Sequence, residues 1–353
     1  MTAREGPKAD ASEGACALEG DGAPVGPLEI SFTKKKRVHV PPAPMAPVAD
    51  THAHLLNFWG KDPAEALARA ALAGDRMLVT LLDPIADGID PAAFHERLAG
   101  WIDRARTLLE GDGAAAPRAP AGGFGDSLGL LGNIRYLCGV HPYGAPGYTD
   151  ETHALVESAL DDPLCAGIGE IGLDYHFDYD DDVAPAPHSL QIAVMERQLD
   201  IAQRRNVPVE LHLRHEASDE ARTSHIDAYD VLREVGVPKA GCVLHCFTED
   251  RPTMERFCEL GCYIAFGGAA TFKRNVETRA AFAACPLDLL LFETDCPYMA
   301  PEPIRGLECE PAMIAFTVDA LARDRAARTG EDPRAIECAA WGNARRLFPM
   351  GRG

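Results

Sequence analysis

Eight short apolar runs recur along the chain, and they constrain its fold more than any other feature. They span residues 47–54, 76–83, 134–142, 165–174, 207–214, 241–247, 262–268 and 287–295. Most are almost continuously hydrophobic, which is typical of parallel strands that are covered on both faces. The pattern therefore predicts eight buried parallel strands.

Amphipathic segments with helical periodicity separate these runs, for example PAEALARAAL at 63–72 and SLQIAVMERQLDIAQRR at 189–205. Two more helical patterns, around 310–328 and 333–347, close the chain. Repeated strand–helix alternation indicates an α/β fold, either a barrel or a doubly wound sheet. A (β/α)8 TIM barrel takes about 250 residues as one domain. A single barrel with a tail therefore fits 353 residues better than two domains do.

The barrel domain is predicted over residues 47–353, after an N-terminal extension at 1–46. The extension is rich in Ala, Gly, Pro and charge and shows no apolar periodicity, so we predict that it is disordered. It contains the basic run Lys34-Lys35-Lys36-Arg37, a pattern of nuclear addresses and nucleic-acid tethers that is more often a solvated charge run. Surface insertions are expected near 111–133 and 178–187.

Composition excludes several classes of protein. The formal net charge of −20 argues against a protein that coats nucleic acid with a broad basic surface. Long apolar spans and a secretory signal are both missing from the sequence, so we expect a cytoplasmic location and no membrane contact. The 11 cysteines show no zinc-finger spacing and are expected to be reduced. The sequence indicates no obligate protein partner.

The first run ends in Asp50-Thr51-His52-Ala53-His54. Side chains two residues apart on a strand point to the same face, so His52 and His54 could bind one metal ion together. A lone H-x-H motif is weak support for a metal site. The prediction of a metal site gains strength because most of the other potential ligands also lie toward the ends of later apolar runs.

Glu170 lies within the fourth run, and His212, His245 and Asp295 lie toward the ends of the fifth, sixth and eighth runs. The carboxyl ends of barrel strands meet at one face, where the active sites of this fold are found. We therefore predict a two-metal site built by His52, His54, Glu170, His212, His245 and Asp295. Imidazole-rich ligands favour Zn²⁺ or Mn²⁺ over Mg²⁺.

These motifs resemble the TatD family of metal-dependent deoxyribonucleases, within the amidohydrolase-like barrels. The resemblance covers roughly residues 47–348. It rests on DTHAH (50–54), GVHP (139–142), GEIGLDY (169–175), PVELHLR (208–214), LHCFT (244–248) and ETDCPYMAP (293–301), together with RG (305–306) and EP (310–311).

The resemblance implies that His52, His54 and Asp295 hold one metal ion and that His212 and His245 hold a second, with Glu170 bridging. It implies catalysis by a metal-activated water, with Asp295 accepting the proton, and it makes Mg²⁺ plausible for activity. Further candidates for substrate contact or for support of the ligands follow. Asp50 could hold a ligand histidine, and Glu293 could support a ligand or His52. His141 and Arg214 could contact the substrate, and the loops that carry Tyr175, Lys273, Arg274 and Arg305 could ring the mouth of the barrel.

Two residues depart from the pattern of this family. His215 occupies a position where many relatives carry Asp, and Cys309 stands where relatives often have Asn or Gln. These differences bear on the substrate and leave the metal ligands unaffected. The fourth run has no lysine at its end, so a carbamylated lysine bridge is not supported.

The first functional hypothesis is a metal-dependent phosphodiesterase acting on DNA, with 3'–5' exonuclease activity on single strands. The second is a hydrolase of a small-molecule ester, lactone, amide or phosphodiester at the same binuclear site. The third, a non-catalytic metal-binding protein, is disfavoured by the complete ligand set. The literal G-x-G-x-x-G at 167–172 lies inside a strand, with no helix directly after it, so it does not indicate nucleotide binding.

Overall fold

The fold is a (β/α)8 barrel, seen in a computed structural model that describes residues 28, 30–111, 127–179 and 182–349. The eight barrel strands are β3 (Val48–Ala53), β4 (Asp75–Leu82), β5 (Ile134–Cys138), β6 (Cys165–Asp174), β7 (Val209–Arg214), β8 (Cys242–Leu244), β9 (Tyr263–Phe266) and β10 (Leu290–Phe292). They are hydrogen-bonded in sequence order from β3 to β10, and all pairs are parallel. The predicted fold class is confirmed.

The barrel closes where β3 meets the residues that follow β10. The backbone N–H of His54 donates to the carbonyl of Cys296 at 2.7 Å, and that of Asp295 donates to the carbonyl of His52 at 2.9 Å. The hydroxyl of Thr51 donates to the carbonyl of Phe292 at 3.1 Å. This seam brings the first and last predicted metal ligands together.

Helices surround the strands: α1 (Pro63–Ala73), α2 (Pro91–Glu110), α3 (Asp150–Ala159), α4 (His188–Arg205), α5 (Thr223–Val235), α6 (Arg251–Glu259), α7 (Val276–Ala284), α8 (Ile314–Thr329) and α9 (Pro333–Leu347). Helices α1, α2, α6 and α9 share one start signal, an aspartate cap followed within two residues by proline. The cap accepts orphan backbone N–H groups, and proline needs no such partner at this position. None of the described helices is both long and apolar enough to cross a bilayer.

The inward-facing side chains change from apolar to polar along the barrel axis. Met77, Val79 and Leu81 belong to the apolar cluster inside the barrel, whereas Leu78 and Leu82 pack against the helices. The same inner cluster contains Leu137, Val243, Ala265 and Leu291, with Leu347 and Phe348 beyond them. Because strand side chains alternate with a period of two, His245 follows Val243 inward, and Glu293 follows Leu291. The polar layer therefore sits on an apolar floor.

The prediction that the whole extension at 1–46 is disordered is wrong for residues 30–46. Strands β1 (Phe32–Lys34) and β2 (Arg37–His39) form an antiparallel hairpin. The Phe32 side chain is buried and lies edge-on to Phe316 of α8, with ring centroids 6.3 Å apart. The pattern escaped detection because two three-residue strands are too short to show a periodicity. Residues 1–27 and 29 lie outside the described residues.

Both predicted insertions lie partly outside the described residues. In the first, residues 112–126 are not described, and Ser127–Leu130 forms a 3-10 helix. In the second, Asp178 and Val183 form an isolated antiparallel bridge on either side of the undescribed residues 180–181. The ten cysteines within the described residues are all unpaired.

The chain before β3 is held by a buried carboxylate. Glu337 of α9 accepts the backbone N–H groups of Met45 at 2.6 Å and Ala46 at 3.0 Å. Burial raises the pKa of Glu337 from 4.5 to about 7 and outweighs these hydrogen bonds, which lower it. The folded protein therefore binds this proton more tightly than the unfolded chain does.

We expect a pH-dependent contribution from Glu337 to the free energy of unfolding. A raised pKa gives stability that is fully present below about pH 4.5 and is lost as the pH rises to about 7. The midpoint temperature of thermal unfolding should therefore fall less steeply with rising pH in Glu337→Gln than in the wild type. The matched control is Glu96→Gln, at an exposed position of α2. Parallel pH profiles of the wild type and Glu337→Gln would contradict the assignment.

Candidate metal centre

The six side chains predicted as ligands gather at the carboxyl end of the barrel. His52 lies in β3, Glu170 in β6 and His212 in β7, and His54 directly follows β3. His245 follows β8 directly, and Asp295 lies three residues beyond β10. This is the face on which barrels of this type carry their active sites.

One group of ligands consists of His52, His54 and Asp295. The Nε2 atoms of the two histidines lie 2.9 Å apart. The Oδ1 atom of Asp295 lies 3.7 Å from Nε2 of His52 and 3.6 Å from Nε2 of His54. The seam between β3 and the end of β10 produces this group, and its atoms are close enough to share one cation.

Glu170 stands between this group and the other two histidines. Its Oε2 atom lies 2.9 Å from Nε2 of His245 and 3.5 Å from Nδ1 of His212, and those two nitrogens are 3.1 Å apart. On the other side, the carboxylate lies 3.8 Å from Nε2 of His52 and 3.9 Å from that of His54. Glu170 therefore lies between the two groups of candidate ligands.

The electrostatics of the cluster fit divalent cations. Burial lowers the pKa of His52 well below its usual range, with a further contribution from His245, so its imidazole is neutral and able to donate a lone pair. Burial also raises the pKa of Asp295. Buried carboxylates are costly unless they are paired or bound to metal. Four imidazoles and two carboxylates that converge in this way form a set of donors suited to zinc or manganese.

Two further carboxylates hold the ligand histidines, and the sequence analysis overlooked both. Glu210 in β7 is fully buried and makes a short hydrogen bond to Nδ1 of His52. Asp174 in β6 accepts a hydrogen bond from Nε2 of His212 at 2.9 Å. Such partners fix the orientation of a ligand imidazole and raise its basicity. Glu210 could have been found, since it lies two residues before His212 and so shares its inward phase.

Asp50 and Glu293 are fully buried next to the candidate ligands. Asp50 accepts hydrogen bonds from the backbone N–H of Thr294 at 2.9 Å and from its hydroxyl at 2.6 Å, so it secures the seam, and within the described part of the chain it accepts no hydrogen bond from an imidazole ring. Burial raises its pKa to about 7. Glu293 accepts a short hydrogen bond from the backbone N–H of Cys246. Its Oε1 atom lies 3.8 Å from Nδ1 of His245, so its neighbour is His245 rather than His52.

His141 faces the cluster. Its Nε2 atom lies 4.0 Å from Oε1 of Glu170, and its ring lies edge-on to His212, with centroids 4.4 Å apart. Burial, and then the charge of His212, lower its pKa to about 3. A neutral imidazole here, grouped with Glu170 and His212, can contact either a metal ion or a substrate.

Of the remaining candidates, three lie at the rim of the barrel, and Tyr175 does not. Arg214 is exposed at the end of β7 and forms no ion pair with the described residues. Lys273 is exposed, and Arg305 lies 4.0 Å from the ring of Phe272. Tyr175, by contrast, is buried, donates to Asp227 of α5 at 2.8 Å and stacks on His188 of α4. Its expected place at the barrel mouth is wrong, because its ring packs between the barrel and the helices.

Two exposed aromatic side chains adjoin the ligands. The ring of Tyr298 lies 6.0 Å from that of His54, and the ring of Trp59 lies 6.2 Å from that of Tyr298, both in edge-to-face geometry. Trp59 is 66% exposed and Tyr298 is 41% exposed. The backbone N–H groups of Trp59 and Gly60 donate to Glu308, which fixes this loop. The mouth of the barrel thus carries an aromatic edge that the sequence analysis did not identify.

Replacement of Glu210 by Gln should weaken metal binding while leaving every predicted ligand in place. The substitution keeps the size of the side chain but replaces the carboxyl partner of His52 Nδ1 with an amide. Loss of such a partner typically lowers metal affinity by about 10- to 100-fold. Competition titration against a chelating dye measures this, with the rim variant Glu216→Gln as the control. Equal affinities for the two variants would show that Glu210 does not act on the metal centre.

Comparison with known proteins agrees with this geometry. The sequence profile of the family described as TatD related DNase matches residues 49–349. The metal-dependent hydrolase YcfH of Escherichia coli is 38% identical over 197 residues, which cover 56% of this chain and 68% of YcfH. A protein of Erwinia billingiae named 3'-5' ssDNA/RNA exonuclease TatD is 32% identical over 221 residues, which cover 60% of this chain and 76% of that protein.

A solved structure shows the same fold. The structure of YjjV, a TatD homologue of Escherichia coli, has a TM-score of 0.62 and 25% sequence identity. It covers 86% of this chain and 98% of its own. The family profile spans nearly the whole barrel, including all six predicted ligands. The chain therefore belongs to the TatD family of metal-dependent hydrolases.

Proposed function

We propose that this protein hydrolyses phosphodiester bonds of single-stranded DNA from the 3' end, with two divalent metal ions. The observation that carries the proposal is the position of Glu170 between the group of His52, His54 and Asp295 and the pair of His212 and His245. Two adjacent cations are the usual means of clamping a phosphate during in-line displacement. The name of the Erwinia billingiae relative supports a nucleic acid as the substrate.

When bound, the cations would supply Lewis acidity and lower the pKa of the attacking water. The side chains of the chain do the rest. Asp295 lies at the mouth, with Oδ1 3.7 Å from Nε2 of His52 and 3.6 Å from Nε2 of His54, and its carboxylate would accept the proton of the attacking water. Glu210 and Asp174 hold His52 and His212 in fixed orientations, so the ligands need no rearrangement during the reaction.

Basic residues on the rim offer local attraction to phosphates despite the net charge of −20. Lys273, Arg274 and Arg305 are exposed after β9 and β10, and Arg214 is exposed at the end of β7. Loops after these strands surround the carboxyl end of the barrel, where the ligands lie. These cations could bind the backbone of a single strand whose end enters the site.

The β1–β2 hairpin adds further positive charge beside the loop that carries Arg305. Its turn holds Lys35 and Lys36, both exposed and both in the left-handed backbone region. Nζ of Lys34 donates to the carbonyl of Pro303 at 3.1 Å, two residues before Arg305. The basic run therefore lies on a docked hairpin, which supports a role in holding nucleic acid over its reading as a charge run in a flexible tail.

The aromatic edge formed by Trp59 and Tyr298 suits unstacked bases. Base–aromatic stacking contributes about 1–3 kcal/mol per base and tolerates any sequence. Both rings are exposed, and Tyr298 lies next to His54, with Trp59 next to Tyr298. A single strand, whose bases are available for stacking, can use this edge, whereas the paired bases inside a duplex cannot.

The activity test uses chelated protein and end-labelled single-stranded oligonucleotides, with Mg²⁺, Mn²⁺ or Zn²⁺ added back. We expect stepwise shortening from the 3' end that requires metal. Asp295→Asn should lower the rate by about 10²–10⁴-fold, since it removes a proton acceptor. His52→Ala should abolish activity, and His153→Ala on α3 is the control. If the metal-loaded protein cleaves no oligonucleotide but hydrolyses a small ester or lactone, the nucleic-acid proposal is wrong.

A separate prediction concerns the contribution of the hairpin to single-strand binding. Replacing Lys35 and Lys36 by Asn removes two charges yet keeps residues that tolerate the left-handed backbone. The dependence of single-strand affinity on salt should flatten by about 0.7 in the log–log slope for each phosphate that the variant no longer neutralises. Lys239→Asn, at an exposed site before β8, is the control. An unchanged slope in the double variant would show that the hairpin does not bind the single strand.

A further inference from the structure

We propose that His215, His225 and Glu249 form an additional metal site, separate from the main centre and suited to Zn²⁺. Each offers a ligand atom, and these atoms all lie within 4.8 Å of one another. None of the three belongs to the six ligands of the main centre. The proposal goes beyond the hydrolase activity and does not depend on the nature of the substrate.

Three different elements bring these residues together. His215 follows β7 directly, His225 is the third residue of α5, and Glu249 lies between β8 and α6. Nδ1 of His215 lies 3.6 Å from Oε1 of Glu249, and the rings of His215 and His225 have centroids 5.7 Å apart. Residues far apart in sequence thus converge from three directions, as the ligands of a metal site do.

His215 is the side chain that most needs a partner. Its Nδ1 atom is buried and makes no hydrogen bond within the described part of the chain. A buried polar atom without a partner costs roughly 1–3 kcal/mol. A cation between Nδ1 of His215 and Oε1 of Glu249 would satisfy both atoms at once.

Glu249 and His225 are also positioned to bind a cation. Glu249 is held through its second oxygen, since Oε2 accepts a hydrogen bond from Nε of Arg222 at 2.5 Å, and this leaves Oε1 facing His215. Such an outer partner fixes a ligand carboxylate. His225 is buried at 5% exposure, and its ring lies edge-on to that of His215.

The composition of the group indicates the kind of ion. Two histidines and one glutamate are the protein ligands of several zinc sites that keep a fourth position open. A cavity of about 160 Å³ reaches one of the three residues, His225, and is also lined by Arg222 and Asp250. A cavity of this size has room for water molecules.

The site would be a feature of this chain rather than of the family pattern. His215 is one of the two positions that depart from that pattern, and it directly follows Arg214 on the rim. A cation here would add positive charge beside Arg214, in a chain whose net charge is −20.

The test is the number of zinc ions bound per chain, measured by mass spectrometry on chelated full-length protein after loading with Zn²⁺ alone. His215→Ala and Glu249→Gln should each bind one ion fewer than the wild type. The control is His95→Ala, since His95 is a histidine beside a single carboxylate, with its Nδ1 atom 2.8 Å from Asp162. His95→Ala should bind as many ions as the wild type.

Equal zinc counts in the wild type and both site variants would overturn the proposal, and so would an equal loss in His95→Ala. Anomalous diffraction at the zinc edge from wild-type crystals needs no variant, so it decides the matter even where a variant fails to fold. A peak among the three side chains is expected, and a map with peaks only at the main centre contradicts the proposal. A failed nuclease assay would leave all these readouts unchanged.

Discussion

The seam between β3 and the end of β10 is the contact on which the site depends. It joins the backbone of Asp295 to that of His52, and the carboxylate of Asp50 locks it by accepting two hydrogen bonds from Thr294. Without closure, the first strand and the last ligand would lie at opposite edges of an open sheet. Because the barrel closes, His52, His54 and Asp295 become neighbours, and Glu170 can reach both groups of ligands.

The second constraint is the cost of buried charge. Glu170, Glu210, Glu293 and Asp295 lie within one water-poor layer at the mouth. Burial raises the pKa of Glu210 and Glu293 well above the usual range, whereas His245 and His212 hold that of Glu170 well below it against the effect of burial. Removing so many carboxylates from water is unfavourable unless cations compensate them. The layer is therefore arranged around metal ions, and the apolar floor beneath it keeps the polar groups at one end.

The sequence predicted the strand order and the six gathered ligands, because the two-residue period and the common end of parallel strands follow from local pattern alone. The contact between Asp174 and His212 was not predicted, because it depends on how β6 and β7 are twisted relative to each other. The sequence pattern assigned Tyr175 to the mouth, although phase does not say whether the side chain of a residue just after a strand turns inward or outward. The hairpin at Phe32–His39 escaped because its stability comes from docking against α8 rather than from its own pattern.

A crystal structure with Mn²⁺ and a single-stranded oligonucleotide ending in a hydrolysis-resistant phosphorothioate tests the central claim most directly. The account predicts two anomalous peaks about 3.5–4 Å apart, a spacing typical of two-metal sites, with Glu170 between them. One ion should touch His52, His54 and Asp295, the other should touch His212 and His245, and the terminal phosphorothioate should contact both. A single ion, or a strand bound away from these residues, would contradict it.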